Sequence, residues 1–235
     1  MSVGSNAMTD FVDIKLSDYE GEDIFAVVVK LEKSFAIKFD KDAFNTVKTF
    51  GDLCDIIESC IKYDNKEDCT KQQAFYKIQA AISEIQLIDK RLIPLDTKLV
   101  DLFPRHNRRR QVKIFQRQLG INLKFLTYPG WLALTLIVGL LASFIAFFFD
   151  WKIAVSGIAF FALALNVADK LGKDLDCDTV KDLTEKAATE YYIDVRRSKL
   201  TVNRNEILDT IKNAFAAGLA IDKAQLTREV KFGWA

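Results

Sequence analysis

The chain has 235 residues, half of them hydrophobic, and its 33 basic residues against 32 acidic ones leave a formal charge of +1. A nearly neutral chain has no general attraction for nucleic acid, so we expect none as a partner. The single histidine, His106, excludes a multi-histidine metal site, and the four cysteines, which form no CxxC pair, are expected to be reduced. The first residues lack the pattern of a signal peptide, and residues 1–7 resemble a tag remnant.

Helical periodicity predicts three helices in the first ninety residues. Apolar residues recur at helical spacing over 22–35, 53–61 and 70–87. Thr49 followed by Asp52 predicts a capping box at the start of the second helix, because the hydroxyl can accept a free N–H of the first turn. Thr70, followed three residues later by Gln73, marks the start of the third helix.

Further helices are predicted on both sides of a long apolar region. A loop with two prolines precedes a helix at 108–119, and Gly120 is placed for a left-handed C-terminal residue. Beyond the apolar region, Thr179 and Asp182 predict a second capping box. Asn203 and Glu206 would cap a last helix that Gly218 can end. The soluble part is therefore predicted to be all-α.

The apolar region itself predicts a transmembrane helical hairpin at 131–168. Trp131 to Phe149 gives nineteen residues without a charge, which as a helix would reach about 28 Å, close to the hydrocarbon thickness of a bilayer. A second uncharged run of sixteen residues, 153–168, follows so soon that the helices must be antiparallel. The alternative is a buried hairpin of a soluble protein. Aromatic and basic residues at the helix ends are expected at the membrane interface: Tyr128, Trp131, Trp151 and Lys152.

The segment before the hairpin is strongly basic and contains no acid. By the positive-inside rule this flank lies in the cytoplasm, so the sequence predicts a bacterial inner-membrane protein with two spanning helices and both termini cytoplasmic. The same side chains are expected to contact anionic lipid or an acidic partner, unless they only fix the topology. These residues are Arg105, Arg108, Arg109, Arg110, Lys113 and Arg117, and Lys124 adds to the charge.

Two short segments recur at nearly the same spacing. TFGDL at 49–53 returns as TVKDL at 179–183, which is 130 residues later. IDK at 88–90 returns at 221–223, which is 133 residues later. Repetition in the same order indicates two copies of one helical unit.

The repeated segments resemble acyl carrier proteins. The helix that ends at 31–37 and the TFGDL segment look like the second and last helices of that family, and the helix at 70–87 with IDK looks like its first helix. The resemblance implies an all-α fold in which the transmembrane helical hairpin is inserted between small acyl-carrier-like helical bundle units. The implied organisation is a carrier-like half unit at 8–62, the first half of a second unit at 70–126, the hairpin at 131–168, and a segment at 174–235 that completes both units.

The chain departs from the family where carriers hold their prosthetic group. A carrier has a serine in Asp-Ser-Leu at the start of its second helix, which bears the phosphopantetheine arm. The corresponding positions are 20–22 and about 105–108, and neither contains a serine; Ser17 lies four positions too early and could instead cap a helix with Glu20. The resemblance therefore implies units that carry no cofactor.

These observations predict a non-catalytic, membrane-anchored interaction or scaffold protein with no catalytic or metal site. The sequence has no Gly-rich phosphate loop, HExxH or GxSxG motif. Its protein partner is not specified, and the terminal half units could close within one chain or pair between copies. Two alternatives remain at this stage: a bacterial immunity or pore-forming membrane protein, and a membrane-tethered acyl carrier.

Overall fold

The structure, a computed structural model, describes residues 16–40 and 42–234, and the predicted tag remnant lies outside them. Within these residues the chain is mostly helical. The α-helices are α1 (Gly21–Phe35), α2 (Phe50–Cys60), α3 (Thr70–Gln86), α4 (Leu99–Leu102), α5 (Arg108–Leu119), α6 (Gly130–Ile145), α7 (Trp151–Leu171), α8 (Val180–Glu190), α9 (Tyr192–Val195) and α10 (Arg204–Leu219). Short 3-10 helices lie at Leu16–Asp18, Lys90–Leu92, Ala146–Phe148 and Lys223–Gln225.

The chain divides into two compact units, each with a short strand ladder. Of the described residues, unit 1 contains 16–40, 42–70 and 188–234, and unit 2 contains 71–187. In unit 1, β1 (Asp64–Asn65) pairs in parallel with β4 (Thr201–Val202). In unit 2, β2 (Leu126–Thr127) pairs antiparallel with β3 (Asp174–Leu175). The prediction of a helical protein with an apolar hairpin is confirmed, and the two ladders are its departure from a purely helical fold.

The core of unit 1 is built by the apolar faces of α1, α2 and α10. The Phe50 and Phe215 rings meet edge to face with centroids 5.3 Å apart, and Phe35 packs on Tyr192 at 5.0 Å. Gly218 does not end α10 as predicted, since the helix continues to Leu219 and Ala220 is its left-handed cap. A Cβ at Gly218 would lie 2.5 Å from a methyl carbon of Val27. Its role is to let α10 approach α1.

The core of unit 2 is centred on three phenylalanines. The rings of Phe103, Phe115 and Phe125 are all buried and meet pairwise at 5.6 to 5.7 Å with tilts of 64° to 87°. Edge-to-face packing of this kind adds about 0.5–1.5 kcal/mol per pair beyond the burial of area. The cluster fixes α5 against the segment that leads into the hairpin.

Both predicted capping boxes are present. The Thr49 hydroxyl accepts from the Asp52 N–H at 3.1 Å, and the Asp52 carboxylate accepts the Thr49 N–H at 2.9 Å. Thr179 and Asp182 repeat the arrangement at 3.2 and 3.0 Å. Two free donors are satisfied at each helix start, which explains why these starts are well defined by sequence.

Of the two other predicted caps, the one at Ser17 is not formed and the one at Asn203 is formed without Glu206. Ser17 lies in a 3-10 helix and its hydroxyl donates to Asp18, so it makes no cap with Glu20. Asn203 does cap α10 through the Asn205 N–H at 3.1 Å. The Asn203 N–H, however, donates to the Tyr192 hydroxyl at 3.0 Å rather than to Glu206, and the Glu206 carboxylate accepts from the Thr70 N–H.

The Asp52 cap makes the stability of unit 1 depend on pH. Hydrogen bonds from the Thr49 and Lys48 N–H groups lower the pKa of Asp52 from its ordinary value. A carboxyl with a lowered folded-state pKa contributes stability above its unfolded pKa of about 3.9 and loses it as the pH falls through the folded value. We expect Asp52→Asn to flatten the acid limb of an unfolding-midpoint profile below about pH 4; an unchanged acid limb would contradict this.

The repeated sequence corresponds to a repeated hydrogen-bond frame. In unit 2 the Leu99, Val180 and Lys181 N–H groups donate to Asp178, Thr97 and Leu95 carbonyls at 2.8 to 3.0 Å. In unit 1 the Phe232, Phe50 and Gly51 N–H groups donate to the Lys48, Val230 and Arg228 carbonyls, in that order, at 2.8 to 3.1 Å. Each donor and acceptor is displaced by 130 or 133 residues from its counterpart. The two units therefore share one local architecture, as the repeated segments predict.

Helix ends in both units use a left-handed residue. Gly120 has φ 73° as predicted, but Ala36, Leu87 and Ala220 adopt φ 50° to 55° without being glycine. A side chain in this conformation costs about 1–2 kcal/mol. Because Leu87 is 91% exposed, its side chain contributes little packing to offset that cost.

We expect Leu87→Gly to stabilise unit 2 and Gly120→Ala to destabilise it, each by about 1 kcal/mol or less. The two changes are a matched pair, since both alter only the residue that ends a helix. Thermal unfolding in detergent measures both. A lower melting temperature for Leu87→Gly would show that the exposed leucine is used elsewhere.

Candidate membrane and lipid interface

The hairpin consists of two helices that are long and apolar enough to cross a membrane. Gly130–Phe148 forms one span of 19 residues and Trp151–Ala168 a second of 18, and only 6% of each span is buried. With 21 residues, α7 is about 31 Å long. An exposed apolar surface of this size is unfavourable in water and marks contact with a membrane or a partner.

Small residues let the two helices meet closely. A Cβ at Gly157 would clash with the Ser143 hydroxyl and lie 3.0 Å from its Cβ. Four residues away on each helix, a Cβ at Gly139 would clash with the Phe161 ring. Small residues spaced by four are a common device for packing helices in membranes, where dispersion contacts replace the hydrophobic effect.

The base of the hairpin is joined to unit 2 by the β2–β3 ladder. Leu126 pairs with Leu175 and Thr127 with Asp174, so the chain entering α6 lies beside the chain leaving α7. Gly172 makes this possible, because a Cβ there would lie 2.5 Å from the Thr127 carbonyl carbon. The hairpin is thus an insertion that begins and ends in one folded unit.

The predicted interface residues lie at the ends of the helices. Tyr128 is half-buried just before α6, and Trp131 is 68% exposed in its first turn. Trp151 and Lys152 lie at the other end, in the first turn of α7, where Asp150 caps the Lys152 N–H at 2.8 Å. Their membrane role stays a prediction.

Of the predicted basic contact residues, Arg108 has a different position from the others. It is 4% exposed, and it donates to the Phe103 and Lys173 carbonyls, both at 2.6 Å. Burial lowers the pKa of the Arg108 guanidinium from its ordinary value, and the charge of Arg105 acts in the same direction. Because Arg108 holds two loops of unit 2 together, we exclude it from the proposed contact surface.

The other predicted basic residues are wholly or partly exposed. Arg105 forms an ion pair with Asp174 at 3.0 Å, and Arg109 is half-buried. The remaining three, Arg110, Lys113 and Arg117, are exposed along α5. Together with Ile114 and Arg109 they line an open basic cleft of about 500 Å³.

A second cleft of about 530 Å³, which we call the basal cleft, lies at the start of the hairpin. It is lined from α5 by Arg109, Val112, Lys113 and Gln116, from the following segment by Asn122, Lys124, Phe125 and Leu126, and by Gly172 after α7. The sequence predicted Arg109 and Lys113 as contact residues and counted Lys124 only as flank charge. The amide residues were not predicted, because nothing local in the sequence indicates a cleft.

His106 and the four cysteines are the other side chains that could carry chemistry. His106 is exposed, and none of the four cysteines, all of which lie among the described residues, is in a disulfide. Burial raises the pKa of the Cys54 thiol to about 12, so this thiol is unreactive at neutral pH. Within the described part of the chain, no group of three or more His, Cys, Asp or Glu residues could hold a metal ion.

The chain matches no known family model, no curated protein and no solved structure. Its function is therefore inferred from its own geometry.

Proposed function

We propose that the chain is a non-catalytic interaction protein anchored in the bacterial inner membrane, with both helical units in the cytosol. The observation that supports this most strongly is the hairpin: two exposed apolar spans leave and re-enter unit 2 through one strand ladder. If the hairpin spans a bilayer, both units lie on the same side, and the basic flank assigns that side to the cytosol.

The proposal treats both units as degenerate relatives of acyl carriers. The shared hydrogen-bond frame and the repeated helix ends support a duplicated unit. At the position where carriers hold their serine, α1 begins with Gly21 after Glu20, and α5 begins with Arg108 after Asn107. A unit without that serine cannot bear the prosthetic arm, which leaves binding of a partner as the function of its surface.

Intact mass after co-expression with a broad phosphopantetheinyl transferase tests this proposal. We expect the full chain, purified in detergent, to remain unmodified. A gain of one pantetheine arm, mapped to Ser17 or another serine, would overturn it and identify a membrane-tethered carrier. Liposome leakage is the matching test for a pore former, and we expect none.

Self-association is a second part of the proposal. In one chain, the described residues of 16–70 pack with residues 188–234 to form unit 1. Exchange of residues 188–234 between two copies would join the copies through the contacts that unit 1 already makes. Light scattering in detergent measures this directly. A monomer that persists at all concentrations would remove the exchanged form and leave the anchored monomer.

A further inference from the structure

The described lining of the basal cleft carries positive charge. Arg109, Lys113 and Lys124 line it, and none of its described lining residues has a carboxylate. In the described part of the chain, neither Lys113 nor Lys124 has an acid within ion-pairing distance. Ammonium groups without an acidic partner are suited to phosphate oxygens.

Neutral polar groups and an apolar wall complete the cleft. The Gln116 amide is held in place by a 2.8 Å hydrogen bond from its NH₂ to the Leu123 carbonyl. Val112, Phe125 and Leu126 supply the apolar side. A ligand that fits such a lining is an amphiphile with an anionic head, because a purely ionic ligand would leave the apolar wall unused.

The position of the cleft favours a lipid over a soluble ligand. Leu126 opens β2 four residues before α6, and Gly172 is the first residue after α7, so both helices leave unit 2 at the cleft. In a spanning hairpin this is the level of the lipid headgroups. The volume of about 530 Å³ is in the range of small-ligand sites.

We propose that the basal cleft binds the phosphate-bearing headgroup of one anionic phospholipid of the cytoplasmic leaflet. Lys113, Lys124 and Arg109 contact the phosphate, and the glycerol and first acyl carbons lie along Leu126 toward the hairpin. The inference rests on the proposed membrane anchoring. It deepens that proposal by naming the chemical class of one partner.

The test is native mass spectrometry of the full chain, released from nanodiscs of phosphatidylcholine with or without phosphatidylglycerol. We expect one retained phosphatidylglycerol and no retained phosphatidylcholine. The triple variant Arg109→Gln, Lys113→Gln, Lys124→Gln should bind phosphatidylglycerol at least about tenfold more weakly. Because Arg109 is half-buried, the double variant Lys113→Gln, Lys124→Gln, which alters only exposed side chains, should show the same direction.

The matched control removes three charges from unit 2 away from the cleft, through Lys90→Gln, Arg91→Gln and Lys181→Gln, and should change retention less than about threefold. Equal losses in both sets would overturn the site and indicate general electrostatic attraction. Displacement of the lipid by millimolar glycerol 3-phosphate would also overturn it, in favour of a soluble phosphate ligand. Failure to enter nanodiscs would instead contradict the membrane anchoring itself.

Discussion

Replacing Gly157 with leucine should separate the two helices of the hairpin. The glycine faces Ser143, and even a Cβ at this position would clash with the hydroxyl there, so a leucine forces α6 and α7 apart. Inside a membrane the helices have no hydrophobic effect to draw them together, and the lost contacts are not replaced. Overpacking of this kind costs about 1–3 kcal/mol or more.

A distance measurement between spin labels reads out this separation. Labels on cysteines at Leu134 and Leu163, both largely exposed, report the spacing across the hairpin in a chain with Cys60 and Cys69 replaced by alanine. We expect a narrow distribution that becomes longer and broader with Gly157→Leu. Gly130→Leu is the matched control, because a Cβ at Gly130 meets nothing within 4 Å. If Gly157→Leu keeps the narrow distribution, as Gly130→Leu is expected to, the helices do not pack through Gly157.

Replacing Arg196 with methionine should give the largest loss of stability in unit 1. Arg196 is 1% exposed, yet its guanidinium donates to the Lys66 and Asp68 carbonyls and the Thr70 hydroxyl at 2.6 to 3.0 Å. It also lies 5.7 Å from the centre of the Tyr192 ring. Methionine fills similar space but leaves these acceptors unpaired, at a cost of about 2–4 kcal/mol in total.

Hydrogen exchange tests this expectation at the residues concerned. The segment 64–70, which pairs with Thr201 and Val202 and is held by Arg196, should lose protection first. Arg197→Met is the control, since the neighbouring arginine is exposed and the same change there should cost less than about 0.5 kcal/mol. Unchanged protection in Arg196→Met would show that the carbonyls find other donors.

The elements predicted correctly are those determined by local chemistry. The Thr49 and Thr179 capping boxes and the left-handed Gly120 depend on residues within four positions of each other, and the structure contains them as the sequence predicts. The length and composition of the hairpin are also local properties. The two-residue strands were missed because a ladder of this length has no periodicity to detect.

The elements missed or misjudged depend on contacts between distant residues. Arg108 lies in a run of basic residues that suggests solvent exposure, but its partner carbonyl on Lys173 is 65 residues away. The basal cleft likewise needs Lys124 and Gly172, which the β2–β3 ladder brings together across the whole hairpin. No pattern within one segment could indicate either feature.

Cysteine accessibility in spheroplasts tests the central claim that the hairpin spans the membrane. Cys69 is exposed just before α3, and Phe149 is 87% exposed in the hairpin turn. With an impermeant maleimide, we expect Phe149→Cys, in a chain with Cys60 and Cys69 replaced by alanine, to be labelled in intact spheroplasts. Native Cys69, in a chain with Cys60 replaced by alanine, should be labelled only after lysis. Protection of Phe149→Cys until lysis would contradict a spanning hairpin.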